Sequence, residues 1–220
     1  MYKNSIIDWS LIVGIGIAWG ASFMFTKVGA PAVGPITLVF YRLLIASLVL
    51  APIFIRKKHL INLKNDWSAI LFLSFFNASI PFFLFSKAAL DLNAGTMSVL
   101  NGTTPLFSFV ISLVWLKLSS NWIQLAGILI GILGLIIFIG YESLEFALLP
   151  IIFCLIASLF YAFSSNFIFK IKDIDSSYLA TIILVVATFF VFPLIFLEEG
   201  INLNHSANVL TSIGLLGSLC

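Results

Sequence analysis

Residues 9–28 read WSLIVGIGIAWGASFMFTKV, a stretch that carries no charge before Lys27. Twenty residues rising about 1.5 Å each as a helix cover the roughly 30 Å hydrocarbon core of a bilayer. The apolar residues are continuous and do not alternate with a period of two, which selects a helix over a barrel strand. A cleaved secretory leader would have an apolar core of only about 7–15 residues. The stretch therefore reads as a retained first membrane span, despite Lys3 before it and the small residues Ala30-Pro31-Ala32 after it.

The rest of the chain follows the same rule. Of its 220 residues 61% are hydrophobic and 9% charged, against about 25% charged in a soluble domain. Eleven basic and nine acidic side chains cannot coat a water-exposed surface of this length, so lipid is the expected solvent. The net charge of +2 is not gathered into a basic patch, which argues against a nucleic-acid partner. Cys154 and Cys220 both lie in apolar stretches and read as packing residues, with no disulfide framework, metal site or cofactor implied.

Reading between charged or turn-rich breaks gives spans at 9–28, 35–55, 67–89, 95–116, 122–140, 146–169 and 177–197, with a further segment from Val209 that stops at Cys220. The basic residues then sort by side. Lys3, Arg56, Lys57, Lys58, Lys64, Lys117, Lys170 and Lys172 fall on one side, and Lys27 and Lys87 on the other. Because basic loops stay inside, the amino terminus is expected in the cytoplasm.

Sliding the chain on itself by about 141 residues lays the first span on the sixth and the second on the seventh, with Pro52 on Pro193. In layout, Trp19-Gly20-Ala21-Ser22 falls near Tyr161-Ala162-Phe163-Ser164. Five spans per copy is an odd number, so the second copy is expected upside down, with reversed loop charge. Arg56-Lys57-Lys58 after the second span faces Glu198-Glu199 after the seventh. The expected architecture is all-α and polytopic: an inverted repeat of five helices each, a ten-span plan of which seven spans and part of an eighth are present. The first repeat covers residues 1–141 and an incomplete second covers 142–220, with roughly 60 further residues expected to complete it.

Several local patterns resemble the EamA-type transporters of the drug/metabolite transporter superfamily. They are Trp19-Gly20-Ala21-Ser22-Phe23, then Pro35 and Tyr41-Arg42, Asn77-Ala78-Ser79-Ile80-Pro81-Phe82, Ala94-Gly95, Asn101-Gly102-Thr103-Thr104-Pro105 and the series Gly127, Gly131, Gly134. The resemblance implies a multi-pass protein of the bacterial inner membrane that exports metabolites. One position departs from the family pattern: where a Glu is common ahead of the fifth span, this chain has Leu118. The small residues of the fifth span suit either ordinary helix packing or a homodimer seam.

Polar groups inside a bilayer are costly and face the bundle interior, where they pack or line a pathway. The substrate-pathway candidates are Trp19, Ser22, Tyr41, Arg42, Asn77, Ser79, Asn101, Thr103 and Thr104 in the first repeat and Tyr161, Ser164 and Asn166 in the second. Asn77 and Asn101 each offer an amide to a solute or, equally, to a neighbouring helix. Pro105 removes a backbone donor and crowds the carbonyl of Asn101 four residues earlier, which loosens the fourth span; Pro81 does the same in the third. Arg42, inside a span, either snorkels to the headgroups or serves a carboxylate on the substrate. Trp19, Tyr41 and Tyr161 combine a ring with a polar handle.

The leading reading is a secondary transporter of small polar metabolites, an amino acid or a related compound, working by alternating access with no covalent chemistry. The runners-up are a truncated membrane fragment without activity and an intramembrane enzyme. The latter lacks a visible apparatus: His59 and His205 fall in loops, and no span pairs two carboxylates.

Overall fold

Helix after helix follows from the apolar runs. The computed structural model describes residues 6–56, 63–117, 119, 121–168, 174–198 and 206–219. Helix α1 (Ile6–Val33) is followed by α2 (Pro35–Arg56) and α3 (Leu63–Leu73), which continues through a π-helical turn (Ser74–Ser79) into α4 (Ile80–Ala88). Next come α5 (Ala94–Asn101), α6 (Thr104–Val114), α7 (Trp122–Ile168), α8 (Ser176–Val191) with a 3-10 turn (Phe192–Leu197), and α9 (Ala207–Ser218). Leu118, and the basic residues Lys3, Lys57, Lys58, Lys170 and Lys172 used for orientation, lie outside the described residues.

Among the described residues six helical stretches are long and apolar enough to cross a membrane: Ile6–Val33, Pro35–Pro52, Asp66–Ala88, Ala94–Val114, Leu148–Ile168 and Ser176–Leu197. Two shorter apolar helices, Trp122–Gly134 and Ala207–Ser218, fall in the fifth and eighth expected segments. The chain is a polytopic α-helical membrane protein. Its surface agrees: Ile12, Ile17, Ile130 and Ile137 stand exposed, a burden in water and an ordinary lipid-facing surface in a bilayer.

The loosening expected at Pro81 is present. The third span is not a uniform α-helix, because Pro81 has no N–H to give the carbonyl of Asn77. The chain widens into the π turn before it, where Ser79 Oγ donates to the Ser74 carbonyl five residues back at 2.9 Å. Residues 141–145, read as a connection between the fifth and sixth spans, lie within α7, which has helical backbone on both sides of them. A straight helix would separate Gly131 from Asn166 by about 52 Å. Yet a methyl on Gly131 would come within 3.1 Å of Leu106 Cδ2, and Asn166 Nδ2 lies 2.8 Å from Ser108 Oγ, only two residues along α6. The element therefore doubles back between Gly131 and Asn166.

Elsewhere the proline logic of the fourth span holds. Helix stops at Asn101 and resumes at Thr104, and the Leu100 carbonyl at the end of α5 accepts Thr103 Oγ1 at 2.6 Å and Ser158 Oγ from α7 at 3.2 Å.

Around these breaks the core gathers on α2, whose Leu38 and Leu43 are fully buried with Ile70, Leu73, Met97 and Leu100. Helices α2 and α8 run antiparallel: Phe40 meets Phe192 at 5.8 Å, while Ser47 Oγ meets Thr188 Oγ1 at 3.3 Å further along.

Candidate functional site

The breaks in the helices and the crossing of α2 with α8 leave a cavity of about 410 Å³ within the bundle. Its wall draws on six elements. Trp19 and Ser22 come from α1, Arg42 and Leu50 from α2, Asn77 and Ala78 from the π turn, and Phe82 from α4. Tyr161 and Ile168 of α7 face Ser176, Leu179, Ala180, Ile183 and Leu184 of α8, and Leu219 closes the wall after α9. Such a site, mostly apolar with a few converging polar groups, suits a small solute.

Five sequence candidates meet there: Trp19, Ser22, Arg42, Asn77 and Tyr161. Arg42 is half-buried, with its guanidinium carbon 3.8 Å from the centroid of the Phe82 ring. That face-on position is worth about 0.5–2 kcal/mol and holds the cation at the cavity wall. Arg42 is the sole charged side chain among the described lining residues.

Opposite it, the edge of Trp19 meets Tyr161 at 6.0 Å and 67°, and Tyr161 stacks with Phe85 at 6.2 Å. The rings fix one another and present faces and edges to the cavity. Ser22 spends its hydrogen on the Trp19 carbonyl at 2.7 Å, which leaves its oxygen to accept. The Asn77 amide is half-buried on the π turn, and no described side chain or carbonyl takes it. π turns of this kind often occur at functional positions.

The remaining candidates lie elsewhere. Tyr41 packs on Phe40 at 5.8 Å. Ser79 and Thr103 are buried and bonded to carbonyls of their own segments. Thr104 Oγ1 reaches Asn101 Oδ1 at 3.5 Å beside the break in the fourth span. Asn166 ties α7 to α6, its Nδ2 within 3.1 Å of the Ser108 carbonyl, 2.8 Å of Ser108 Oγ and 2.9 Å of its own helix at Ala162. Ser164 is fully buried, and its hydroxyl has no partner among the described residues. It sits three residues after Tyr161 and four before Ile168, on the helical stripe that lines the cavity.

Sequence reading missed the apolar wall of Leu50, Phe82, Leu179, Ile183 and Leu184. No signal singles these out, since leucine and isoleucine occur on every face of every span. Among the described residues no group of His, Cys, Asp and Glu could hold a metal ion.

No curated protein and no solved structure matches this chain. A family model does: that of the EamA-like transporter family matches residues 9–140, well over half of the chain. On that match, and in keeping with its helices and central cavity, the chain belongs to the EamA-like transporter family.

Proposed function

We propose that this protein is a secondary transporter that moves a small carboxylate-bearing metabolite, an amino acid or a close relative, outward across a bacterial inner membrane, with its amino terminus in the cytoplasm. The observation that carries the substrate reading is Arg42, braced on Phe82 at the wall of a mostly apolar cavity within membrane-spanning helices, where it is the one charged side chain among the described lining residues. A guanidinium in so apolar a place favours an anionic group strongly. Asn77 and the oxygen of Ser22 supply further hydrogen-bonding groups, and the rings of Trp19 and Tyr161 suit an ammonium or an apolar body.

The mechanism is alternating access by two inverted halves rocking around this site. Two residue pairs support it. In the internal alignment Trp19 lies close to Tyr161 and Ser47 to Thr188; in the structure the members of each pair touch, at 6.0 Å between rings and 3.3 Å between hydroxyls. Counterparts related by a two-fold axis meet only beside that axis, so both contacts suit an axis that passes by the cavity. The split of basic residues between loops supports a cytoplasmic amino terminus, and family membership supports transport itself.

The test is uptake of a radiolabelled panel of amino acids and related carboxylates into inside-out vesicles from cells making the protein. Accumulation of at least one solute above control vesicles is expected. No uptake of any member would sink the reading.

A further inference from the structure

The cavity extends from mid-span toward one end of the bundle, and a well-built polar contact lies at the other end. The cavity reaches Ile168, at the end of α7, and Ser176, at the start of α8. At the far end of α8, beyond the 3-10 turn, Glu198 crosses to the first turn of α2. Its carboxylate accepts Ile36 N–H at 2.8 Å, Thr37 N–H at 2.9 Å and Thr37 Oγ1 at 2.9 Å. These residues are about 160 apart in the chain, so the contact joins the two helices whose antiparallel crossing forms the centre of the fold. Along α2 the cavity wall runs from Arg42, about 8 Å from this contact, to Leu50, roughly 20 Å from it.

Three features make this a built contact. The first turn of a helix has unpaired N–H groups and a positive dipole end, and a carboxylate satisfies both. Pro35 opens α2, so the donors Ile36 and Thr37 are the first it has to offer. Gly34 just before them has φ +89°, a conformation other residues avoid, and a Cβ there would overlap the Glu198 carboxylate. A glycine is thus required at this position on two counts, backbone and space.

A second charged tie closes the same end. Lys27, near the end of α1, donates its ammonium to the carbonyls of Ala89 at 2.9 Å and Leu90 at 3.3 Å, just past α4. A cation thus sits on a helix C-terminus and an anion on a helix N-terminus, both at the end away from the Ser176 side, each with the sign its helix end prefers.

We infer that Glu198, seated by Gly34 on the first turn of α2, is the latch that holds this far end of the transporter shut while the cavity communicates with the other end. In a cycle of alternating access α2 and α8 must part at one end as they close at the other, and these bonds are what must break for the far end to open. The inference rests on the transport mechanism proposed above, and it assigns Glu198 a positioning role with no contact to the substrate.

The experiment uses Ser22→Cys as a reporter on the cavity wall, in a chain with Cys154→Ala and Cys220→Ala, labelled by a membrane-impermeant maleimide in right-side-out and inside-out vesicles. With Glu198 intact, labelling is expected from one side only. Glu198→Ala should raise the labelling rate from the opposite side by at least about tenfold, the effect of losing even one bond to a charged acceptor. Gly34→Ala should do the same by displacing the carboxylate, and Thr37→Val, which removes only the hydroxyl bond, should give a smaller rise. Unchanged sidedness in both Glu198→Ala and Gly34→Ala would overturn the latch, provided the protein is recovered folded; Thr37→Val, the mildest change, guards that condition. Because labelling needs no solute, shifted sidedness without transport of any solute would sink the transport reading and leave the latch standing. Uptake with unshifted sidedness would do the reverse.

Discussion

Replacing Asn166 by alanine should weaken the bundle and leave solute recognition alone. The amide nitrogen has two hydrogens and three acceptors within 3.1 Å: the Ser108 carbonyl, Ser108 Oγ and the Ala162 carbonyl. At most two full bonds can form, and at most two of them tie α7 to α6. Interhelical polar contacts in membranes average about 0.6 kcal/mol and reach about 1.7. The expected loss is therefore about 1 kcal/mol, roughly a fivefold shift in the unfolding equilibrium. Ser108 keeps a partner in Ser165 at 3.3 Å, which holds the loss at that level. Equilibrium unfolding in mixed detergent–lipid micelles measures it directly. Asn77→Ala is the matched control: its amide has no described protein partner, so stability should hold while the KM for the solute rises about tenfold. The reasoning fails if Asn166→Ala costs under about 0.3 kcal/mol and raises KM, because Asn166 would then belong to the pathway and not to the packing.

Two further outcomes follow from close contacts. Gly217→Ala would put a methyl 2.5 Å from Ile45 Cβ, a branched base that cannot swing aside, so a loss of about 1–3 kcal/mol is expected in the same unfolding assay. Tyr161→Leu removes the ring that meets Trp19 and Phe85; binding of aromatic solutes, followed by tryptophan fluorescence, should weaken more than binding of aliphatic ones by about 0.5–1.5 kcal/mol.

The helices were legible in the sequence because a run of about twenty apolar residues has few other stable forms in lipid. Pro105 and the Asn101-Gly102-Thr103 break were legible for an equally local reason, a missing N–H. The facing of each helix was not. Spans such as α7, apolar all round, carry no stripe that marks one side as core, so Asn77 on the cavity and Asn166 on a helix seam looked alike. Glu198 shows the same limit at longer range. Its neighbour in sequence, Glu199, marked it as half of an acidic pair in a loop, whereas its bonds go to Ile36 and Thr37 on a helix some 160 residues earlier. The reversal inside α7 was legible, because Glu142 and Glu145 interrupt the apolar run between the fifth and sixth spans, and the contacts of Gly131 and Asn166 with one short stretch of α6 require it.

The central claim is that Arg42 holds the carboxylate of a transported solute, and the most direct measurement compares wild-type protein with Arg42→Gln for uptake into inside-out vesicles. Loss of a charge-assisted bond of about 1.5–3 kcal/mol should raise the KM for the carboxylate solute about 10- to 100-fold. Discrimination against the corresponding uncharged amide should vanish. An unchanged KM in Arg42→Gln, with the preference for the carboxylate intact, would contradict the account.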